Sequence, residues 1–88
     1  MSDSLPVTKV NIRKVETESS LRAFASIVLG GIFMVKGLKI IEGSKGMFVG
    51  FPSEKGKDGA FYDTAFPLSR EYREEISEAV MSEFLKAA

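Results

Sequence analysis

Four cations and two carboxylates in the second half of the chain have the types and spacing that could do chemistry. Lys55 and Lys57 lie in the stretch 52–59, Pro-Ser-Glu-Lys-Gly-Lys-Asp-Gly, which has nothing to bury and reads as an exposed loop. Arg70 and Arg73 follow Ser69, a helix-capping residue type, at the start of an amphipathic stretch. A helix start carries unpaired backbone N–H groups that favour an anion. Arginine forks beside such donors match phosphate oxygens. The same cations oppose the helix macrodipole, at about 0.3–1 kcal/mol each. The ordinary alternative is that Arg70 pairs with Glu74 one turn on and that the lysines only keep the loop soluble. Glu71, Glu74, Glu75 and Glu78 weaken any broad attraction of an anion to the rest of the helix.

Acid–base and nucleophilic chemistry have few candidates. The chain has no histidine and no cysteine, which removes the commonest general base, the strongest nucleophile and thiolate metal sites. Asp58 and Asp63 are a carboxylate pair that could split roles if their environments separated them. The simpler reading has Asp58 shaping a turn with Gly59 and Asp63 solvated. No calcium-loop spacing is present. Gly50 and Gly56 are six apart and Lys57 is followed by Asp58, so a nucleotide P-loop is excluded by spacing and by charge. The run 45–51, Lys-Gly-Met-Phe-Val-Gly-Phe, approaches the signature strand of an RNA-recognition motif but lacks one central residue. In a strand that loss sends the later aromatic to the opposite face. The expectation is a binding protein, not an enzyme, with no metal and no cofactor.

The elements that must hold these residues are mostly strands. Residues 7–15 alternate, with Val10 and Ile12 against Lys9, Asn11 and Arg13. Residues 21–29 alternate more clearly: Leu21, Ala23, Ala25, Ile27 and Leu29 share one face, and Arg22, Phe24, Ser26 and Val28 the other. Gly30-Gly31 closes a two-residue hairpin, where glycine supplies positive φ. Strand resumes over 32–41, with a bulge at Gly37. After a turn at 42–46, residues 47–51 read as a short buried strand and 60–66 as the last strand, stopped by Pro67. A helix follows over about 70–86, with Tyr72, Ile76, Ala79, Val80 and Phe84 as its apolar stripe. Met81 and Leu85 fall nearly opposite, as surface residues or a subunit contact. The fold class is α+β: an antiparallel meander of four or five strands with one C-terminal helix on a face.

At 88 residues there is room for one domain, expected over 7–88 behind a flexible tail at 1–6. Such a domain buries only about 60–65% of its surface, and oligomerisation is a common remedy. Twelve basic residues balance twelve acidic ones, but residues 1–45 carry seven of the former and four of the latter. A polyanion would therefore have to meet a local basic face. The uncharged run 23–35 is too short for a bilayer span, which needs about 20 residues. Residues 1–6 show no signal-peptide pattern, and a cytoplasmic location is expected.

Several blocks together resemble one family. They are Val7-Thr8-Lys9-Val10 with Ile12-Arg13, the stretch 21–27, the stretch 38–43, then 46–53 (Gly-Met-Phe-Val-Gly-Phe-Pro-Ser), 58–63 (Asp-Gly-Ala-Phe-Tyr-Asp) and Pro67-Leu68. In order and spacing they are similar to the SpoVG family of bacterial regulators over almost the whole chain. The resemblance implies a compact homodimer joined partly through its sheets, binding to DNA and RNA, and a regulatory role around septation, sporulation or virulence. Combined with the clustering of cations at the helix start beside a glycine-containing loop, it points to phosphate contacts by Lys55, Lys57, Arg70 and Arg73, with Arg13, Lys14 and Arg22 as lesser candidates on the sheet. Departures from the pattern are Glu54 and Glu75, where basic residues are common, and Phe66, where histidine usually precedes the proline. The rival expectation is a homodimeric protein-interaction module that uses Met81, Leu85 and the acidic helix face.

Overall fold

The alternating residues of the first half form a sheet, and its two faces differ. The structure is a computed structural model describing residues 5–87. Strands β1 (Val7–Lys14), β2 (Leu21–Leu29), β3 (Phe33–Gly43) and β4 (Gly46–Gly50) pair antiparallel in sequence order. Strands β5 (Ser53–Lys55) and β6 (Phe61–Asp63) form a separate two-stranded arm, and helix α1 spans Arg70–Lys86. The architecture is the α+β meander with a C-terminal helix that the sequence implies.

Three bulges decide which side chains meet the helix. On β3, Leu38 faces Ala25 while Lys36 faces Ser26, so Gly37 is an extra residue, at φ +92°. The bulge predicted there lets Val35 before it and Leu38 and Ile40 after it all point inward. An extra residue at Thr8 on β1 does the same for Val7, and one at Arg22 on β2 sets Leu21 out of phase with Ala23, Ala25 and Ile27. Leu21 consequently leaves the buried face of β2 and pairs with Ile41 on the open side. Gly30 and Gly31, at φ +60° and +72°, are the central turn residues expected, closed by Ile32 N–H donating to Leu29 O at 3.1 Å. The ladder resumes only at Leu29 with Phe33, which leaves Ile32 as an additional residue, 85% exposed.

The core is the layer between this sheet and α1. Ala23, Ala25, Ile27, Leu38, Ile40 and Val49 from the sheet meet Ile76 and Val80 from the helix. Ser69 caps α1 as expected, its Oγ accepting from Tyr72 N–H at 3.1 Å. Tyr72 and Phe84 pack beside the buried pair, and so does Met81. The buried arc of the helix is thus wider than the predicted stripe, because α1 lies across the sheet and meets both β1 and β4. Of the opposite strip only Leu85 is exposed, so Met81 does not head a free surface.

Other sequence expectations are corrected. β4 is an edge strand in which only Val49 is buried, because helix α1 covers one face of the sheet and nothing described covers the other. Residues 52–59 are not all loop: Pro52 is buried against Gly37, and 53–55 pair with 61–63. The last strand shrinks to Phe61–Asp63 and joins the arm, not the main sheet. Of the expected tail, residues 1–4 lie outside the described region. Leu5 and Pro6 are held, with Tyr72 Oη–H donating to Leu5 O at 2.5 Å and Gly30 N–H to Pro6 O at 2.7 Å. No helix among the described residues is long and apolar enough to cross a membrane.

Candidate nucleic-acid interface

The arm is a short hairpin whose own side chains define its tip. Gly56 N–H donates to Ala60 O at 2.7 Å and Gly59 N–H to Gly56 O at 3.0 Å. Asp58 completes the tip: Oδ1 accepts from Ala60 N–H at 3.0 Å and Oδ2 from the Tyr62 hydroxyl at 2.5 Å. A two-stranded hairpin is marginal by itself, and these side-chain bonds supply what a neighbouring sheet otherwise would. Lys55 ends β5 opposite Phe61, and Lys57 stands in the tip; both are exposed. The turn-shaping role expected for Asp58 is present. Asp63 pairs with Ser53 at the other end of β6, away from the tip that holds Asp58, so the two carboxylates do not form a pair.

The hydroxyl of Tyr62, and then the Ala60 N–H, hold the Asp58 carboxyl below its ordinary value of 3.8. The same bond pushes Tyr62 up from 10.0. A lowered carboxyl stabilises the folded arm fully above its unfolded value and ceases to do so as pH falls through its folded value. An NMR titration of the Ala60 and Tyr62 amides is therefore expected to show the arm tip loosening with a midpoint below 3.8. Asp58→Asn should abolish that step. A midpoint at or above the ordinary carboxyl value would contradict this account of the tip.

The helix cations divide. Arg73 sits on the side of α1 nearest the arm's base, its Cζ 5.2 Å from the centre of the Phe51 ring. Such stacking holds the guanidinium in place and leaves its edge donors for another partner. Arg70 is 89% exposed in its side chain and only loosely near Glu74, at 3.7 Å, as the ordinary alternative expects of an i,i+4 pair. Phe51 thus ties Arg73 to the strand end from which the arm departs. No recorded contact among the described residues ties Lys55 or Lys57 to either arginine.

The lesser candidates also separate. Lys14 points toward the helix, with Nζ 5.0 Å from the Phe84 ring centre. Arg22 is engaged by Glu42 at 2.8 Å and by the carbonyls of Ser19 and Leu21. Arg13 lies on the sheet face away from the helix, opposite Phe24. There it is joined by Lys36 and Lys39, which sequence reasoning missed. Three positions apart, these two lysines belong on opposite faces of a regular strand. The Gly37 bulge between them puts both on the same face, and that glycine was the available signal.

Phe48 lies on that open face, beside Ile41, while Phe51 packs against the core. The two aromatics of the stretch 45–51 do point to opposite sides, as the missing residue implies.

A family model described as SpoVG matches residues 5–86. The chain is 42% identical over 80 residues to "Putative septation protein SpoVG" of Priestia megaterium, covering 91% of this chain and 83% of that protein. It is 44% identical over 78 residues to the protein of the same name from Archaeoglobus fulgidus, covering 89% and 92%. With its counterpart in Macrococcus caseolyticus it shares 46% over 77 residues, covering 88% and 67%.

Proposed function

The chain belongs to the SpoVG family, and from that premise we propose that it is a homodimeric regulatory protein that binds DNA and RNA and acts in septation or sporulation control. It works by binding and not by catalysis. The observation that carries the reading is the arm, a solvent-exposed hairpin that bears Lys55 and Lys57 and springs from the strand end where Phe51 holds Arg73. Cations on a projecting hairpin can follow a phosphate backbone without requiring net charge on the whole protein. Arg70 adds an exposed contact at the helix start, where Ser69 takes the Tyr72 and Arg73 N–H groups.

The proposed dimer has a surface suited to it. Around the hairpin tip and the chain before α1, Leu5, Ile32, Phe33, Phe66 and Leu68 are all exposed, the last at 94%. Leu5, Phe33, Phe66 and Leu68 border two shallow depressions of about 230 and 360 Å³, whose linings include no ionisable group except Tyr72. An uncharged apolar patch of this kind marks a protein contact, and a two-fold axis can match it to itself. Of the rival protein-interaction surface on Met81, Leu85 and the acidic helix face, Met81 packs against the core while Leu85 stays exposed.

The test is fluorescence-polarisation binding of labelled duplex DNA and single-stranded RNA across a salt series. Affinity should fall steeply with salt, with a log–log slope of about −0.9 per contacted phosphate on the duplex. The triple variant Lys55→Ala, Lys57→Ala, Arg73→Ala should weaken binding to the duplex about tenfold or more. It should also make the slope shallower by roughly 2–3. Unchanged affinity and slope in a variant that still folds and dimerises would overturn the assignment.

A further inference from the structure

The sheet has a face that no described element covers, and its composition is unusual for a chain of zero net charge. Arg13, Phe24, Lys39 and Gly50 form one continuous row across all four strands, each opposite the next. Lys36 stands in the neighbouring row opposite Ser26, and Phe48 on the far strand opposite Ile41. Phe24 is 37% exposed and Phe48 52% exposed. No carboxylate occupies a register position on this face. The ion pairs among the described residues are Arg22 with Glu42 and Arg70 with Glu74, so neither engages Arg13, Lys36 or Lys39. Between Arg13, Phe24, Ser26 and Lys36 lies an open depression of about 270 Å³, floored in part by Gly37.

These features specify an occupant. Two exposed rings, two strands apart and therefore on the order of 10 Å from one another across the sheet, offer stacking surfaces to flat apolar groups. Cations on both sides of Phe24 place positive charge within reach of a backbone that carries such groups. Gly50 ends the row without a side chain, beside Lys39 and two residues from Phe48 on the same strand. Stacked bases with phosphates between them match this alternation of ring and cation. A duplex does not, because its bases are already stacked and their faces inaccessible. A second copy of the chain does not match either. A two-fold contact through this face would bring Arg13, Lys36 and Lys39 of one protomer against the same cations of the other, which like-charge repulsion opposes.

We propose that the open face of the sheet is a platform for unpaired nucleic acid, with bases stacking on Phe24 and Phe48 and phosphates held by Arg13, Lys36 and Lys39. The proposal deepens the nucleic-acid reading above and rests on it for the class of ligand. It adds a surface separate from the arm and selects single strands over duplexes.

The experiment compares binding of one labelled twelve-nucleotide RNA, single-stranded and annealed to its complement, by three full-length proteins. They are the wild type, the open-face variant Phe24→Leu, Phe48→Leu, Lys39→Gln, and the arm variant Lys55→Ala, Lys57→Ala. Circular dichroism and light scattering check fold and oligomeric state. Leucine keeps the face apolar while removing the aromatic ring. The open-face variant is expected to bind the single strand about tenfold or more weakly and the duplex within about twofold of wild type. The arm variant should weaken both. In the wild type, titration with the single strand should shift the amide resonances of Phe24, Lys39 and Gly50, a readout that does not depend on a variant folding. Single-strand binding that is unchanged in the open-face variant, with those resonances still, would overturn the platform while leaving the broader reading intact. Loss of the dimer in the open-face variant would overturn it in favour of a contact between copies. Failure of the wild type to bind either RNA would overturn both readings.

Discussion

Leu38→Ala is expected to destabilise the protein by about 2–5 kcal/mol, the range for truncating a fully buried leucine. Leu38 is 0% exposed and sits on the central strand β3, opposite Ala25 and within the layer that meets Ile76 and Val80. Its neighbours on β2 are alanines, which are too small to move into the space left behind. A chain of this size has a total stability of only about 4–13 kcal/mol. The substitution therefore removes a large fraction of it and should lower the melting temperature by about 10 °C or more. Chemical and thermal unfolding at matched protein concentration measure it, since the dimer proposed above would make stability concentration-dependent. Met34→Ala, on the open side of the same strand and 49% exposed, is the control and should cost below about 1 kcal/mol. Equal losses in the two variants would mean that the helix-covered layer is not the core.

Deleting Gly37 is expected to do more than any substitution. The bulge is what allows β3 to present Val35 and Leu38 to the same face, although they are an odd number of residues apart. Without it, one half of the strand must turn over. Val35 would leave the core, and Met34 and Lys36 would face it beside Ile27. Burying the Lys36 ammonium without a partner, together with losing Val35 from the core, costs energy comparable to the whole stability of the domain. The deletion variant should show collapsed amide dispersion in its NMR spectrum. Gly37→Ala separates sequence length from backbone strain. It keeps the extra residue but places a side chain at φ +92°, where its Cβ would sit 3.5 Å from the Pro52 Cβ, an ordinary contact. Its expected cost is about 1–2 kcal/mol, from the left-handed backbone alone. A deletion variant that melts like Gly37→Ala would show that the register can slip without penalty.

The same glycine separates the candidate residues that are legible in the sequence from those that are not. Lys55, Lys57, Arg70 and Arg73 stood out because loop composition and helix-capping chemistry are local properties of short stretches. The structure keeps them exposed, with Arg73 stacked on Phe51. Lys36 and Lys39 did not stand out, because simple alternation assigns them to different faces. By sequence alone the arm reads as loop and strand, because β5 and β6 are three residues each and too short to show periodicity. Its Asp58–Tyr62 bond spans only four residues, yet no spacing rule announces it.

The sequence by itself determined the strands β1 to β3, the Gly30-Gly31 turn, the bulge at Gly37, the Ser69 cap, the extent of α1 and membership of the SpoVG family. The family rests on whole blocks in order along the chain; each of the other features follows from a period, a cap or a glycine within a few residues of it. Only the tertiary structure decided that Met81 is covered, that β4 is an exposed edge, that Lys14 and Arg22 are already engaged, and that Arg13, Phe24 and Lys39 line up across the sheet. These depend on register between strands and on where the helix crosses them. Register is set by bulges and by which faces can be buried together, and no single strand carries that information alone.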